Sequence, residues 1–324
     1  MSAMRRAAYT ALLFLALVPF SASAALIPVS GGTLELTASP QYPAPGQTVS
    51  FTANYTGGDT GTISYAWSVN GTPTLSGIGE NQLSLVASAA DTVSVTAVDV
   101  TGGVLGTAST VINPGTVDLV WEGQTTTPPL YIGRPLPNGQ SPVTVLAVPH
   151  ITVNGNAVPV SALVYTWSVN AVPEAALSGY GKSAAIVTPP NFGQAFTVSV
   201  HAETPDGRGG ADNTITIQPQ TPTVLVYQNA PLLGIRFDRA VTGSFPMTES
   251  EASFTAFPLF VQNLNALSYQ WTLNGAPFAV DAPQPRNVTF RLTGGGTGTS
   301  AVLFTFTNPS AFLEHGAVSF TLTF

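Results

Sequence analysis

The sequence predicts an all-β chain of three tandem two-sheet sandwiches behind a cleaved export leader, and three observations point there. Residues 63–71 (Ile-Ser-Tyr-Ala-Trp-Ser-Val-Asn-Gly), 163–171 (Leu-Val-Tyr-Thr-Trp-Ser-Val-Asn-Ala) and 267–275 (Leu-Ser-Tyr-Gln-Trp-Thr-Leu-Asn-Gly) are one pattern written three times, with tryptophans 100 and 104 residues apart. Ile63, Tyr65, Trp67 and Val69 alternate with Ser64, Ala66 and Ser68, the period of a strand with one buried face. The 324 residues include 31 Gly and 27 Pro within a chain that is 44 % apolar, which favours short strands and turns over long helices.

The first element is the leader. Arg5 and Arg6 precede an apolar run over residues 7–20, and Ala22-Ser23-Ala24 supplies the small residues of a cleavage site, so residues 1–24 are expected to be a signal peptide. An uncleaved anchor would need about 20 apolar residues, and Pro19 closes the run early. No second apolar span follows, so no transmembrane span is expected in the mature chain. The mature chain keeps 7 basic against 16 acidic residues, a formal −9. That charge offers neither the basic stripe of a nucleic-acid surface nor attraction to anionic lipid. An exported chain without a single cysteine fits a bacterium better than a eukaryotic secretory route, where small sandwiches often use disulfides.

The repeats follow in order. A tryptophan buried in mid-strand once per ~100 residues fills a sandwich core about 10 Å thick. Trp67, Trp167 and Trp271, with Tyr65, Tyr165 and Tyr269 two residues before them, are therefore expected to be structural core. Each strand ends in Asn-Gly or Asn-Ala, a turn signal. Upstream, 33–36 with 47–53, 117–121 with 143–148, and 223–227 with 252–257 open the three copies. Downstream, 92–98 with 108–112 and 196–202 with 213–217 read as closing hairpins. In the third copy 287–293 runs into the glycine-rich 294–298, which reads as a hairpin turn before 301–307, and 318–324 closes the domain after an insertion at 308–316. Turn-like linkers near 113–115 and 219–222 divide the mature chain into domains 25–114, 115–219 and 220–324, joined closely enough for a semi-rigid rod.

The strand Tyr-x-Trp-x-(Val/Leu)-Asn-Gly, followed by Val-Ser-Val-Thr-Ala-Val-Asp (93–99) or Val-Ser-Val-His-Ala-Glu (198–203), resembles bacterial immunoglobulin-like and polycystic-kidney-disease (PKD) type domains. The opening Pro-Gln-Tyr-Pro-Ala-Pro-Gly-Gln-Thr-Val-Ser-Phe-Thr (40–52) is similar as well. The resemblance covers most of the mature chain and rests on threefold recurrence. The Asp-Phe-Gly-Asp-Gly turn usual in PKD domains is missing, so the looser immunoglobulin-like label suits the chain better. The whole also resembles exported tandem-domain proteins of small-genome bacteria, some of them suspected of serving pili. That resemblance implies a role at the cell surface or in an appendage.

Copies two and three share Leu119-Val-Trp-Glu122 and Leu225-Val-Tyr-Gln228, each followed by a proline-containing segment, which implies a common ancestor for the two. The connection 122–142 is long for a compact sandwich, and long ordered loops are often functional. Trp121, Pro128, Pro129, Tyr131 and Arg134 could offer a rigid aromatic and proline surface to a partner. The competing reading is a cap over a sheet edge, since proline blunts edge pairing.

No catalytic residue, cofactor or metal site is expected. His150, His201 and His315 lie far apart without metal-ligand spacing, and His201 reads as a lone strand residue. No nucleophile elbow, phosphate loop or dinucleotide fingerprint occurs. Asp206 and Asp212 bracket a glycine-rich loop and could reach calcium, although an ordinary turn accounts for them. The terminal strand ends on Phe324 as outer-membrane barrel strands do, but three tryptophan repeats do not supply a barrel's many girdled strands. The expectation is a non-catalytic exported protein, extracellular or in the cell envelope, acting as a spacer or binding module. Its partner would be a cell-surface or appendage protein. The alternative is a carbohydrate-binding accessory of a secreted hydrolase, in which Trp121 and Tyr131 stack on a glycan.

Overall fold

A computed structural model describes residues 32–57, 62–190, 192–280 and 283–324. The expected leader lies outside the described residues. The described chain is built of strands in three tandem immunoglobulin-like β-sandwiches. None of its helices is long and apolar enough to cross a membrane.

The first sandwich uses β1 (Leu34–Ser39), β2 (Thr48–Tyr55), β3 (Ser64–Val69), β4 (Thr72–Ile78), β5 (Gln82–Val86), β6 (Asp91–Val98) and β7 (Val104–Ile112). Its sheets run β1-β2-β5 and β4-β3-β6-β7. The second begins with β8 (Thr116–Gly123), β9 (Val143–His150) and a small hairpin of β10 (Thr152–Val153) and β11 (Asn156–Ala157). It continues through β12 (Val164–Val169), β13 (Val172–Pro173), β14 (Gly179–Tyr180), β15 (Ala184–Val187), β16 (Phe196–Glu203) and β17 (Gly210–Ile217). Here the sheets are β15-β9-β8 and β13-β12-β16-β17, with β14 beside β12.

The third sandwich is larger. It comprises β18 (Thr223–Ala230), β19 (Gly234–Ala240), β20 (Gly243–Pro246), β21 (Glu251–Leu259), β22 (Ser268–Leu273), β23 (Ala276–Phe278), β24 (Asn287–Arg291), β25 (Thr299–Thr307) and β26 (His315–Thr323). Its sheets are β19-β18-β21-β24 and β20-β26-β25-β22-β23.

The repeated motif lies on β3, β12 and β22, and Trp67, Trp167 and Trp271 are almost fully buried in three separate cores. Tyr65 and Tyr165 share that burial, while Tyr269 packs at the margin of its core. A buried indole still has to satisfy its N–H. All three do so alike, donating to a carbonyl on the crossover to the opposite sheet: Glu80 O at 2.7 Å, Lys182 O at 2.9 Å and Pro285 O at 3.2 Å. The tryptophan thus ties the two sheets together as well as filling the space between them. Tyr165 and Tyr269 donate their hydroxyls to Val160 O and Leu264 O, fixing short 3-10 turns at Val160–Ala162 and Leu264–Ala266.

The asparagine after each strand has a left-handed backbone, with φ of 51°, 48° and 50° at Asn70, Asn170 and Asn274. Each also locks the neighbouring strand of its sheet, β6, β16 or β25. Its side-chain oxygen accepts from the N–H of Thr92, Thr197 or Ala301, and its own N–H donates to that residue's carbonyl. The motif therefore carries a turn and a clamp in one residue.

Two expectations need correction. In the third sandwich β24 does not form a hairpin with β25; it pairs with β21 in the opposite sheet, and the closing hairpin is β25 with β26. Residues 294–298 therefore cross from sheet to sheet, in place of the expected hairpin turn. The likeness of 119–122 to 225–228 also breaks down in space. Leu119 and Trp121 pack against the second core, whereas in β18 the core residues are Val224 and Val226. Tyr227 lies on the outer face, edge-on to Phe237 and Phe257. A slip of one residue reverses every side chain of a strand.

Candidate functional site

The loop after β8 is set by its composition. Proline at 128, 129, 135, 137 and 142 withholds backbone donors, so the segment can neither extend β8 nor pair as a strand, and it folds against its surroundings by other means. Gly123 N–H donates to Pro135 O, Gln124 N–H to Pro142 O and the Thr125 hydroxyl to Leu136 O, closing the loop's base.

Its far side seats the third sandwich. Thr126 N–H donates to Val261 O at 2.8 Å and Phe260 N–H returns the bond to Thr126 O at 2.9 Å, a strand-like exchange between two domains. Phe260 holds φ at 60°, uncommon for a bulky residue, in making that bond. Asn138, fully buried, donates through Nδ2 to Phe260 O and to Glu314 Oε1 at 2.7 Å. Glu314, equally buried, accepts further from Gln262 N–H at Oε1 and from Asn308 Nδ2 at Oε2. No Lys or Arg among the described residues pairs with that carboxyl group; three N–H donors satisfy its oxygens. Gln140 Oε1 accepts from Leu313 N–H, and Gln220 N–H in the linker donates to Pro137 O. Gly139 has no room for a side chain, because a Cβ there would stand 2.6 Å from Gly193 N.

The residues singled out from sequence are dispersed over this seat. Arg134 lies over the ring of half-buried Trp121, 4.2 Å from its centroid, and its Nη1 donates to Trp121 O. Tyr131 stands edge-on to Phe260 at 6.1 Å. Pro128 is buried and Pro129 is exposed. The side chains turned fully outward are Leu130 and Ile132, 82 % and 99 % exposed, which sequence reasoning did not single out. Asn138, Phe260 and Glu314 were missed as well. Their only sequence signal is an isolated acidic residue in the apolar 308–316 insertion of a chain with 8 % charge.

A second contact joins the first two sandwiches. Tyr42, from the proline-rich opening, donates its hydroxyl to Glu203 Oε2 at 2.8 Å, and its ring rests 5.2 Å from that of His201. His201 is therefore not a lone strand residue. Its Nδ1 meets Asp212 Oδ1 at 2.7 Å and its Nε2 meets Glu203 Oε2 at 3.4 Å. Gly115 N–H donates to Pro43 O, and Asn113 Nδ2 to Arg208 O. Gly210 makes the seat, since a Cβ there would come within 2.8 Å of the Tyr42 ring.

The two aspartates considered for calcium face different partners. Asp212 faces His201, while Asp206 takes hydrogen bonds from the Thr204 hydroxyl and from Arg208, which hold its carboxyl below the usual range. No group of three or more metal-ligating side chains occurs among the described residues. A crevice of about 880 Å³ opens on the third sandwich between core side chains, among them Met247, Phe278, Phe290, Leu322 and Phe324, and the polar, glycine-rich crossing at 293–297.

No protein-family model matches the chain, and no curated protein sequence does. Among solved structures it is similar to the three N-terminal domains of the highly immunogenic outer capsid protein of bacteriophage RB49 (14 % identity, 90 % of this chain and 98 % of that one, TM-score 0.28). It is also similar to the central fibronectin-III array of RIM-binding protein (13 %, 92 % and 98 %, 0.33). Fibronectin(III)-like modules of Clostridium thermocellum CbhA match over less of the chain (12 %, 57 % and 94 %, 0.29). The likeness is one of architecture alone, that of tandem immunoglobulin-like and fibronectin-III-like domains.

Proposed function

We propose that the chain is a non-catalytic exported spacer and binding module of a bacterial cell surface or pilus-type appendage, with a leader at 1–24 and domains at 25–114, 115–219 and 220–324. One observation carries the reading. The longest connection of the second sandwich is used to brace the third, through Asn138 and a buried Glu314, and its apolar tip is left facing outward. A spacer needs stiff junctions, and a binding module needs exposed contacts on a fixed support. Leu130 and Ile132 are the residues through which a surface or appendage protein would be engaged.

The carbohydrate reading fits less well, because the guanidinium of Arg134 lies over the Trp121 ring that a sugar would have to stack on. Photo-crosslinkers at positions 130 and 132 on intact cells should capture a surface or appendage protein. A glycan-array signal that disappears in Trp121→Ala, together with no crosslinked protein, would overturn the proposal in favour of the alternative.

A further inference from the structure

We propose that copies of this chain associate head to tail, the carboxylate-bearing free end of the first sandwich of one copy seating on an arginine and aromatic face of the third sandwich of the next. The charge is divided along the chain. Residues 25–114 hold five Asp and Glu and no Lys or Arg, whereas residues 220–324 hold four of the seven Lys and Arg in residues 25–324. Two first sandwiches therefore repel one another, and each is drawn to wherever a third sandwich leaves a cation uncompensated.

That place is the outer face of the sheet β19-β18-β21-β24. Between Tyr227 and Asn229 the register of β18 with β19 shifts, and the extra residues of β19 carry Phe237 onto the rings of Tyr227 and Phe257, 5.3 Å from each. Arg286 lies over Phe257, 5.6 Å from the ring centre, and Arg239 adjoins Ala240, which stands opposite Tyr227. The other two arginines of this sandwich are already paired, Arg236 with Asp238 at 2.9 Å and Arg291 with Glu251 at 2.8 Å. No Asp or Glu among the described residues forms an ion pair with Arg239 or Arg286. Half-buried Phe237 and Phe257 thus stand beside two uncompensated guanidinium groups, a composition suited to the centre of a protein interface.

The complementary surface is at the other end of the chain. β6 and β7 meet the linker at Asp91 and Ile112, so the turn after Val98, with Asp99, marks the opposite, free end of the first sandwich. Glu80 reaches the same end, because Gly79 N–H donates to Ile63 O just before β3, whose Ser64 pairs with Val98. Glu35 joins them at the start of β1, where Leu34 lies against Gly106 of β7. Val100, 75 % exposed beside Asp99, adds an apolar contact for the rings. This end faces away from the second sandwich, so a second copy must supply it, and a contact between unlike faces repeats without closing.

Sedimentation velocity of the full chain should show oligomers that grow with concentration at ~0.1 M salt and fall back toward monomer at ~1 M, as the screening length drops from ~10 to ~3 Å. Arg239→Gln with Arg286→Gln, and Glu35→Gln with Glu80→Gln, should each weaken self-association about tenfold or more, and Arg239→Lys with Arg286→Lys should lose less. Mixing the two glutamine variants tests the polarity. One keeps the acidic end and the other the arginine face, so together they should form dimers that grow no further, which misfolded chains would not do. Leu130 and Ile132 are unchanged in all of these chains, so failure here leaves the contact proposed for them standing. A chain that stays monomeric up to ~1 mM at ~0.1 M salt, oligomers that persist undiminished in either glutamine variant, or a mixture of the two that yields no dimer would each overturn the head-to-tail contact.

Discussion

At the scale of single residues the repeated motif does three jobs that alternation alone does not reveal. The tryptophan fills the core and bonds the crossover to the opposite sheet, the tyrosine fixes the turn before its strand in the second and third sandwiches, and the asparagine turns the chain while clamping the neighbouring strand of the sheet. Trp167→Phe should destabilise the second sandwich by about 1–3 kcal/mol, because it leaves Lys182 O without its donor and opens a small void. Asn170→Ala should cost about 1–2 kcal/mol from the left-handed backbone and the lost clamp, and Asn170→Gly roughly half of that, since glycine recovers only the backbone. Denaturant unfolding of the three variants checks the order; a glycine variant as stable as its parent would remove the clamp from the account, and equal losses in the alanine and glycine variants would remove the backbone term.

Elements were legible in the sequence where one face is buried, and less so where the pattern serves two masters. The central strands β3, β12 and β22 and the opening pairs are visible because apolar residues recur at every second position on them. Residues 287–293 misled because a strand followed by glycines has the same signature whether the chain turns back within a sheet or crosses to the other. Residues 225–228 misled because Leu225 and Tyr227 are apolar on the outer face, where Phe237 and Phe257 cover the tyrosine. The candidate site was the least legible. Length and proline content mark 122–142 as unusual, but its partners Phe260, Gln262 and Glu314 lie more than 100 residues away, and periodicity does not encode such pairings. Removing the carboxylate strands buried amide donors, so Glu314→Ala should destabilise the joined second and third sandwiches by about 3 kcal/mol. Glu314→Gln should lose about half as much, since one oxygen remains to accept. Thr126 has a buried hydroxyl with no hydrogen-bond partner, so Thr126→Val should be neutral or stabilise by up to ~1 kcal/mol at the same junction. Calorimetry of the variants separates these outcomes: a Glu314→Ala chain as stable as its parent would show that the network does not brace the domains.

For the whole molecule the two junctions have different physics. Between the second and third sandwiches the contact is buried, satisfied by amides and built from a long loop. Between the first and second, the contact rests on the Tyr42 hydroxyl at Glu203 beside His201, together with the Gly115–Pro43 and Asn113–Arg208 bonds, nearer the surface. One joint is therefore firm and deeply buried, and the other is lighter and nearer the surface. The firm joint is the central claim, and residual dipolar couplings on the full chain test it most directly. A single alignment tensor should fit the amides of the second and third sandwiches together, and Glu314→Ala should split it in two. Separate tensors for those two sandwiches in the unsubstituted chain would contradict the account.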